Sequence, residues 1–486
     1  MMQTKCFSAT ALAAVSATCC VFGLSLPCAA QEEEVVVEES NRLSFDAGVD
    51  LRIRQEMMDN VPQMQNGMIG RPGVARGKMK NQVRFRPRVW AELKAFENWR
   101  LYLRLCDEFR WGVVQPVHNL TWPGEVVVDN LFIEGKGILD DKIDVLFGRR
   151  DLYRLYGLSH IFVDGTSGDG SRTLYADMAT ITWHVDEDTT LDVFALFNKD
   201  REYMRFGTRR SHFGTQLTGF GGSDTEMDDW GCGAVWGSKF RDDGGANILD
   251  YQLIAIQKNT ASFHRKGFKH PRRQVNMFGT KIVPHWTQNF STPLELYGQV
   301  GENGRDSTLT GWSAYAGLDW RDMEKKTWRP FCTLGLHVMS GDKDAMDQDG
   351  GHKGWDPMWY RGIDDSEMFL YGSTYGVGWW SNMYNPKATF GFDIGPKSRI
   401  AAMMGPMFAE AQDHCGGGNG MYKGFLSQLR WDFPLFPKFF FFGDGPKEGE
   451  RFEMFGHILL EHFAPGDYYD TDKPAWFIRW QLDFKF

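Results

Sequence analysis

Arg84, Arg86 and Arg88 stand at every second position of an otherwise apolar run. Period two is the repeat of a β-strand, so the three guanidiniums share one face, about 7 Å apart. Such a row repels itself and cannot sit in a dry core. It needs water, carboxylates or an anionic ligand. Guanidiniums hold carboxylates through paired, charge-assisted hydrogen bonds, so the chemistry on offer is anion recognition. Arg52, Arg54, Arg104 and Arg110 take the same face of neighbouring alternating segments and broaden the stripe. Glu92 and Glu108 stand where they can neutralise part of it. Beside the ligand reading stands a plainer one, in which the arginines are wall charges paired with carboxylates.

Covalent chemistry has no comparable signal. The sequence holds no GxSxG, HExxH or P-loop. His212, His264 and His270 fall in loop-like stretches and read as solvated. The expectation is a protein that is not an enzyme and has no cofactor. The Asp-rich run 342–350 partly resembles a calcium loop, which leaves calcium in an outer loop open. Lys353 stands where such a loop needs its glutamate, so a solvated acidic loop is the better reading. Cys106, Cys232, Cys332 and Cys415 are scattered without metal spacing. They read as unpaired strand residues or as two disulfides. A net charge of −9 argues against nucleic acid as a partner.

The elements that must carry these arginines are strands. The last eleven residues alternate to the end of the sequence. Trp476, Ile478, Trp480, Leu482, Phe484 and Phe486 point one way; Arg479, Gln481, Asp483 and Lys485 point the other. A terminal strand ending in Phe resembles the last strand of an outer-membrane β-barrel, the one read by the barrel-assembly machinery. Its apolar face would meet lipid and its charged face a lumen. The start of the chain supports export. Lys5, the small and apolar stretch 9–26 and Cys28-Ala29-Ala30 read as a signal peptide over 1–30. Residues 31–41 then form an acidic periplasmic leader, and 42–486 the barrel, in a bacterial outer membrane. Mean hydropathy is −0.40. No second apolar run of about 18 residues exists, which excludes a helical membrane bundle.

Short polar turns are expected at Glu97-Asn98, Asp140-Asp141, Asp186-Glu187-Asp188, 242–245 and 395–398. Long connections are expected near 57–79, 112–124, 157–173, 201–230, 261–273 and 341–385. Alternation alone suggests nineteen strands, but such barrels use even numbers and keep both ends in the periplasm. Counting back from Phe486 makes 464–473 and 414–420 outer loops and 434–450 a periplasmic turn. The stretch 341–385 becomes one long outer loop. The fold class is therefore all-β: a transmembrane antiparallel barrel of about eighteen strands, with long outer loops and short periplasmic turns. Pro87 is expected to form a bulge, because it cannot donate to the ladder.

Several stretches together resemble the alginate-export family of outer-membrane porins. Phe147-Gly148-Arg149-Arg150 is similar to the family's Gly-Arg-Gln strand end, with Arg150 in place of the Gln. Asp164-Gly165-Thr166 with Ser171-Arg172-Thr173 resembles the loop that follows. Ser340-Gly341-Asp342 with Trp355-Asp356-Pro357-Met358 resembles its long-loop signature, and 382–399 the adjoining hairpin. The run 461–469 resembles the family's last loop. The segment 201–272 matches poorly. The resemblance implies an eighteen-stranded barrel whose arginine-lined constriction passes an acidic polysaccharide. It also implies a gating periplasmic turn, for which 434–450 with its four consecutive phenylalanines, 439–442, is the candidate. Arg52, Arg54, Arg84, Arg86, Arg88, Arg104, Arg149, Arg150, Asp164, Arg172 and Arg479 are the expected pore-lining residues. Asp164, Asp177 and Asp483 would limit dwell time. The partners expected are an acidic polysaccharide or small anions, and lipid. The alternatives are a general anion-preferring porin and a barrel acting through its outer loops as receptor or adhesin.

Overall fold

The computed structural model describes residues 43–60, 80–96, 98–114, 126–152, 155–162, 175–198, 205–206, 229–265, 268–270, 272–304, 307–325, 327–344, 351–359, 366, 368, 381–395, 397–413, 416–435 and 452–486. Among these residues eighteen strands cross the barrel. They are β1 (Ser44–Asp59), β2 (Lys80–Ala95), β3 (Trp99–Cys106, resuming as Phe109–Val114), β4 (Val126–Gly137), β5 (Ile143–Asp151) and β6 (Tyr175–His184). Then come β7 (Thr189–Asn198), β8 (Asp229–Arg241), β9 (Asn247–Thr260), β10 (Arg273–Thr287), β11 (Leu294–Glu302) and β12 (Thr308–Arg321). The last are β13 (Trp328–Met339), β14 (Met383–Ile394), β15 (Ser398–Phe408), β16 (Tyr422–Pro434), β17 (Glu453–Pro465) and β18 (Ala475–Lys485). Each pairs antiparallel with its chain neighbours, and β1 pairs with β18 through Asp50↔Lys485 and Arg54↔Gln481, closing the barrel. Closure removes every sheet edge, the condition for a β-structure to cross a bilayer.

The alternation works as the sequence implies. On β11, Leu294, Leu296 and Val300 are exposed, while Glu295, Tyr297 and Gln299 are buried inside. On β18, Trp476, Ile478 and Trp480 are exposed; Phe477 and Arg479 are buried. The outward apolar band is the lipid-facing surface of an outer-membrane barrel. Short connections gather at the end that carries both strand termini, periplasmic in such a barrel. Asp242 shapes one of them: its Oδ1 accepts from the amides of Gly244 and Ala246, and Gly245 takes φ +81, where a side chain would be strained. The long outer loop falls between β13 and β14, and the turn expected at 434–450 between β16 and β17, as the count requires.

Pro87 differs from its expectation. The register on both sides of it is unbroken, with Leu51↔Pro87 toward β1 and both Arg88↔Cys106 and Phe85↔Phe109 toward β3. Asp107 donates its N–H to Pro87 O at 3.1 Å, and proline has no N–H to return. The result is a gap in the ladder at residues 107–108, without the extra residue of a bulge. Cys106, Cys232 and Cys332 are free thiols, Cys106 buried inside and Cys232 exposed on the outer wall. Cys415 lies outside the described residues.

The inside of the barrel is not uniformly polar. Inner faces of β7 to β12 contribute Phe194, Leu196, Val235, Ile254, Ile256, Val275, Met277, Tyr297 and Leu309, all buried. They pack against two outer segments folded inward, 155–162 and 351–359, through Leu158, Ile161, Phe162, Trp355, Met358 and Trp359. The rings of Phe162 and Trp359 stack at 5.6 Å. Gly231 makes this approach possible, since a Cβ there would lie 2.6 Å from the Trp359 ring. A dry core therefore fills the β7–β12 side, and the polar side chains face the lumen from the other. On the outside, Leu253 lies mid-strand in β9 and is exposed. Leu253→Arg should cost about 2–4 kcal/mol of stability, as a charge does near the bilayer midplane. A urea unfolding midpoint in lipid vesicles equal to that of the parent would contradict the lipid-facing register.

Candidate functional site in the barrel lumen

The arginines converge on the strands that close the barrel. Cross-strand partners are Arg54↔Arg84, Arg52↔Arg86 and Asp50↔Arg88 between β1 and β2, and Glu56↔Arg479 and Arg52↔Asp483 between β1 and β18. Like charges directly opposite one another are destabilising unless a counter-charge intervenes. Two buried carboxylate hubs intervene here.

Glu56, fully buried, is the first hub. It lies 2.8 Å from Arg54 Nε, 3.2 Å from Arg84 Nη1 and 3.0 Å from Arg479 Nη2, and Gln82 Nε2 donates to it at 2.8 Å. Glu108 takes the other side of Arg84 at 3.0 Å. Asp129, also fully buried, is the second hub, 3.0 Å from Arg104 and 3.6 Å from Arg88. Asp151 completes it, accepting from Arg104 at 2.8 Å and from Asn130 at 3.0 Å.

Arg86 stands between the hubs. It is buried, and among the described residues its Nε and Nη1 have no hydrogen-bond partner. It borders a cavity of about 960 Å³ that reaches toward the periplasmic mouth. Arg52, Arg88 and Arg104 border the same chamber, with Trp90 and Tyr102, whose rings stack at 6.2 Å. Across it stand Arg430 and His457, both held by Asp432 at 2.7 Å, and Lys397, held by Glu453 at 2.6 Å. The arrangement offers guanidinium donors and aromatic faces in one wet chamber.

The structure thus brings together Arg52, Arg54, Arg84, Arg86, Arg88, Arg104 and Arg479. Arg149 is elsewhere: it pairs with Asp177 at 2.9 Å, donates to Val128 O and lies over the Tyr175 ring, so it braces the wall. Arg150 sits 3.6 Å from Glu134 and over the Phe132 ring. Asp164, Arg172 and the Arg110 side chain lie outside the described residues, as does 436–450. Glu92 binds Lys94 and Arg100 at the lower rim and does not reach the arginine row. Asp342 accepts from the amides of Asp344 and Lys353 and from His352, while 345–350 lies outside the described residues.

Glu56, Asp129 and Asp151 are the members that sequence reasoning missed. Glu56 was legible, two residues beyond Arg54 on the same face. Asp129 was not. The register between β3 and β4 shifts at Arg104/Leu105, and the run Val126-Val127-Val128 hides the alternation.

Two polar latches hold the inward-folded segments. Asp356 lies 3.4 Å from Lys258 and 3.2 Å from Arg273, and its backbone exchanges two 2.8 Å hydrogen bonds with the Gln299 amide. Glu295 takes His160 Nδ1 at 2.8 Å, Lys281 at 3.3 Å and the Tyr297 hydroxyl at 2.9 Å.

Neither a family model nor a curated protein matches this sequence. Among solved structures the chain is similar to Pseudomonas aeruginosa OpdQ, at 10% identity and TM-score 0.49, covering 91% of this chain and 97% of that one. It is similar to Pseudomonas aeruginosa OpdO at 12% identity and TM-score 0.49, covering 91% and 97%. It is also similar to Pseudomonas aeruginosa OccK2 (OpdF), solved in complex with glucuronate, at 11% identity and TM-score 0.45, covering 90% and 98%. This chain, closed by its own β1–β18 ladder, is an eighteen-stranded antiparallel barrel of the outer-membrane type.

Proposed function

We propose that this barrel is an anion-preferring diffusion channel whose cargo is an acidic saccharide of the uronate kind. The observation that carries the reading is the set Arg52, Arg86, Arg88 and Arg104, which line one chamber together with Trp90 and Tyr102. A cargo carboxylate in the chamber meets this positive wall. Trp90 and Tyr102 beside it offer faces on which a sugar ring stacks. The sequence resemblance to alginate-export porins supports the same acid. The dry core on the β7–β12 side favours a narrow cargo, an oligosaccharide or a single extended chain.

Transport of this type makes and breaks no bond. Guanidiniums replace part of the carboxylate's hydration, and binding must stay weak and multi-site for the cargo to leave. The carboxylates Glu56, Asp129, Asp151 and Asp483 answer that need, because they keep the wall from becoming an anion trap.

Reconstituted protein in a salt gradient should give a reversal potential of anion-selective sign. Arg86→Ala should reduce that selectivity more than Arg150→Ala does. The preference should fade at 1 M salt, where the Debye length is about 3 Å. Cation selectivity of the parent pore, or conduction that uronate oligomers neither carry nor block, would refute the reading.

A further inference from the structure

We propose that Asp432, Arg430 and His457 form a hydroxyl-reading station in the chamber, across from the arginine row, so that the pore favours anions whose rings carry hydroxyl groups. The inference rests on the channel reading above and narrows the cargo of the same chamber.

Three observations carry it. The first is placement. Asp432 on β16 pairs with His457 on β17, His457 with Gln481 on β18, and Gln481 with Arg54 on β1. One row along, Asp483 pairs with Arg52 and Arg52 with Arg86. Arg430 stands two residues before Asp432 and shares its inward face. Four strand spacings of about 4.8 Å set Asp432 about 19 Å from the arginine row along the wall. Curvature and inward side chains shorten the gap across the lumen. Both walls border one chamber, so a cargo inside it meets both.

The second is how the carboxylate is held. Arg430 donates to it twice, Nε to Oδ2 at 2.7 Å and Nη2 to Oδ1 at 3.2 Å. His457 Nδ1 meets Oδ1 at 2.7 Å. An ionised carboxylate offers about four acceptor positions, and these bonds leave Oδ2 able to take a further donor. The plane of the group is thus fixed before cargo arrives, which lowers the cost of binding. The Arg430 and Asp432 side chains are still 39% and 30% exposed, so cargo in the lumen can reach them.

The third is charge. Arg430 and Asp432 cancel, so this station adds little to the pull on an anion. It offers instead an acceptor beside donors: Asp432 Oδ2, the guanidinium edge of Arg430, and His457 Nε2, the ring nitrogen turned away from Asp432. A hydroxyl both donates and accepts, so it suits both kinds of partner at once. A bare carboxylate or halide has no proton to give and meets Asp432 as a like charge. An apolar ring strips water from these polar groups and returns no hydrogen bond. The cargo is therefore oriented, its carboxylate toward Arg86 and Arg88, a ring face on Trp90 or Tyr102, and its hydroxyl edge toward Asp432.

The test compares glucuronate with cyclohexanecarboxylate, monoanions of the same ring size, one with hydroxyls and one without. Each is titrated against the chloride current of the full chain in planar bilayers. The parent pore should be half-blocked at a severalfold lower concentration of glucuronate. Asp432→Ala removes a negative charge and Arg430→Met a positive one. Anion selectivity should rise in the first and fall in the second, yet both should bring the two acids to similar half-blocking concentrations. Either variant decides the point if the other does not fold. A parent that is anion-selective but treats the two acids alike overturns the hydroxyl station and leaves the channel standing. So does a preference for glucuronate that survives the substitutions, or a shift of both acids together with the wall charge. If the parent carries no anion current, the channel reading itself fails.

Discussion

Glu56→Gln is expected to destabilise the barrel by about 3–5 kcal/mol, the cost of removing one partner from a buried charge cluster. The carboxylate is fully buried and has Arg54, Arg84 and Arg479 within 3.2 Å. Glutamine keeps the shape and one acceptor oxygen but removes the charge. Three guanidiniums from three adjacent strands then face one another without the charge that stood between them, while Glu108 still holds Arg84. Because β18, β1 and β2 are the strands that close the barrel, the loss falls on the seam. The readout is the urea unfolding midpoint followed by tryptophan fluorescence in lipid vesicles. Selectivity should move the other way: one negative charge fewer beside the path makes the pore more anion-selective. Adding Arg84→Gln to Glu56→Gln should recover part of the stability, a coupling of about 0.5–3 kcal/mol for residues in one network. Unchanged stability with unchanged reversal potential would show that Glu56 is not the hub of this wall.

The arginine wall illustrates what the chain makes legible. Strand register is written in period-two alternation, so Arg84, Arg86 and Arg88, and with them Arg52, Arg54 and Arg479, could be placed on one face before any coordinates. Parity then set eighteen strands and put 341–385 between two of them. What alternation cannot supply is the lumen's own packing. Ile254 and Ile256 on β9 look like any apolar strand residues, yet they face inward and need a cover. The cover comes from 155–162 and 351–359, segments whose sequences read as loops. Trp355 and Trp359 were legible as aromatic residues but gave no sign of direction, because a loop has no period. Arg149 and Arg150 stand apart from the row for a related reason. Gly148 at φ +129 interrupts the alternation between Phe147 and Arg149, so the period no longer assigns a face.

The second large effect concerns that cover. Asp356→Ala should release the 351–359 segment from the wall and increase conductance. It should also cost about 3–5 kcal/mol of docking energy, since Lys258 and Arg273 both lose their buried partner. The side chain also accepts from the Met358 N–H at 2.8 Å, which shapes the turn that aims Trp359 inward. Lys258 Nζ meanwhile donates to Met358 O at 2.6 Å and loses its reason to stay. Burial works to raise the pKa of this carboxyl, but Lys258 and Arg273, helped by the Met358 amide, outweigh it and hold it below the usual value. The sign follows. A depressed carboxylate pKa contributes stability that is fully present above the unfolded value of about 3.9 and is lost as pH falls through the folded one. The latch is therefore closed throughout the neutral range. Acidifying the parent pore below the usual carboxylate range should reproduce the high-conductance behaviour of Asp356→Ala at neutral pH. Asp356→Asn should fall between the two, because an amide oxygen can still take the Met358 N–H while the charge pair is gone. A parent pore and an Asp356→Ala pore of equal conductance and equal resistance to proteolysis at 351–359 would mean that the apolar contacts of Trp355 and Trp359 hold the segment unaided.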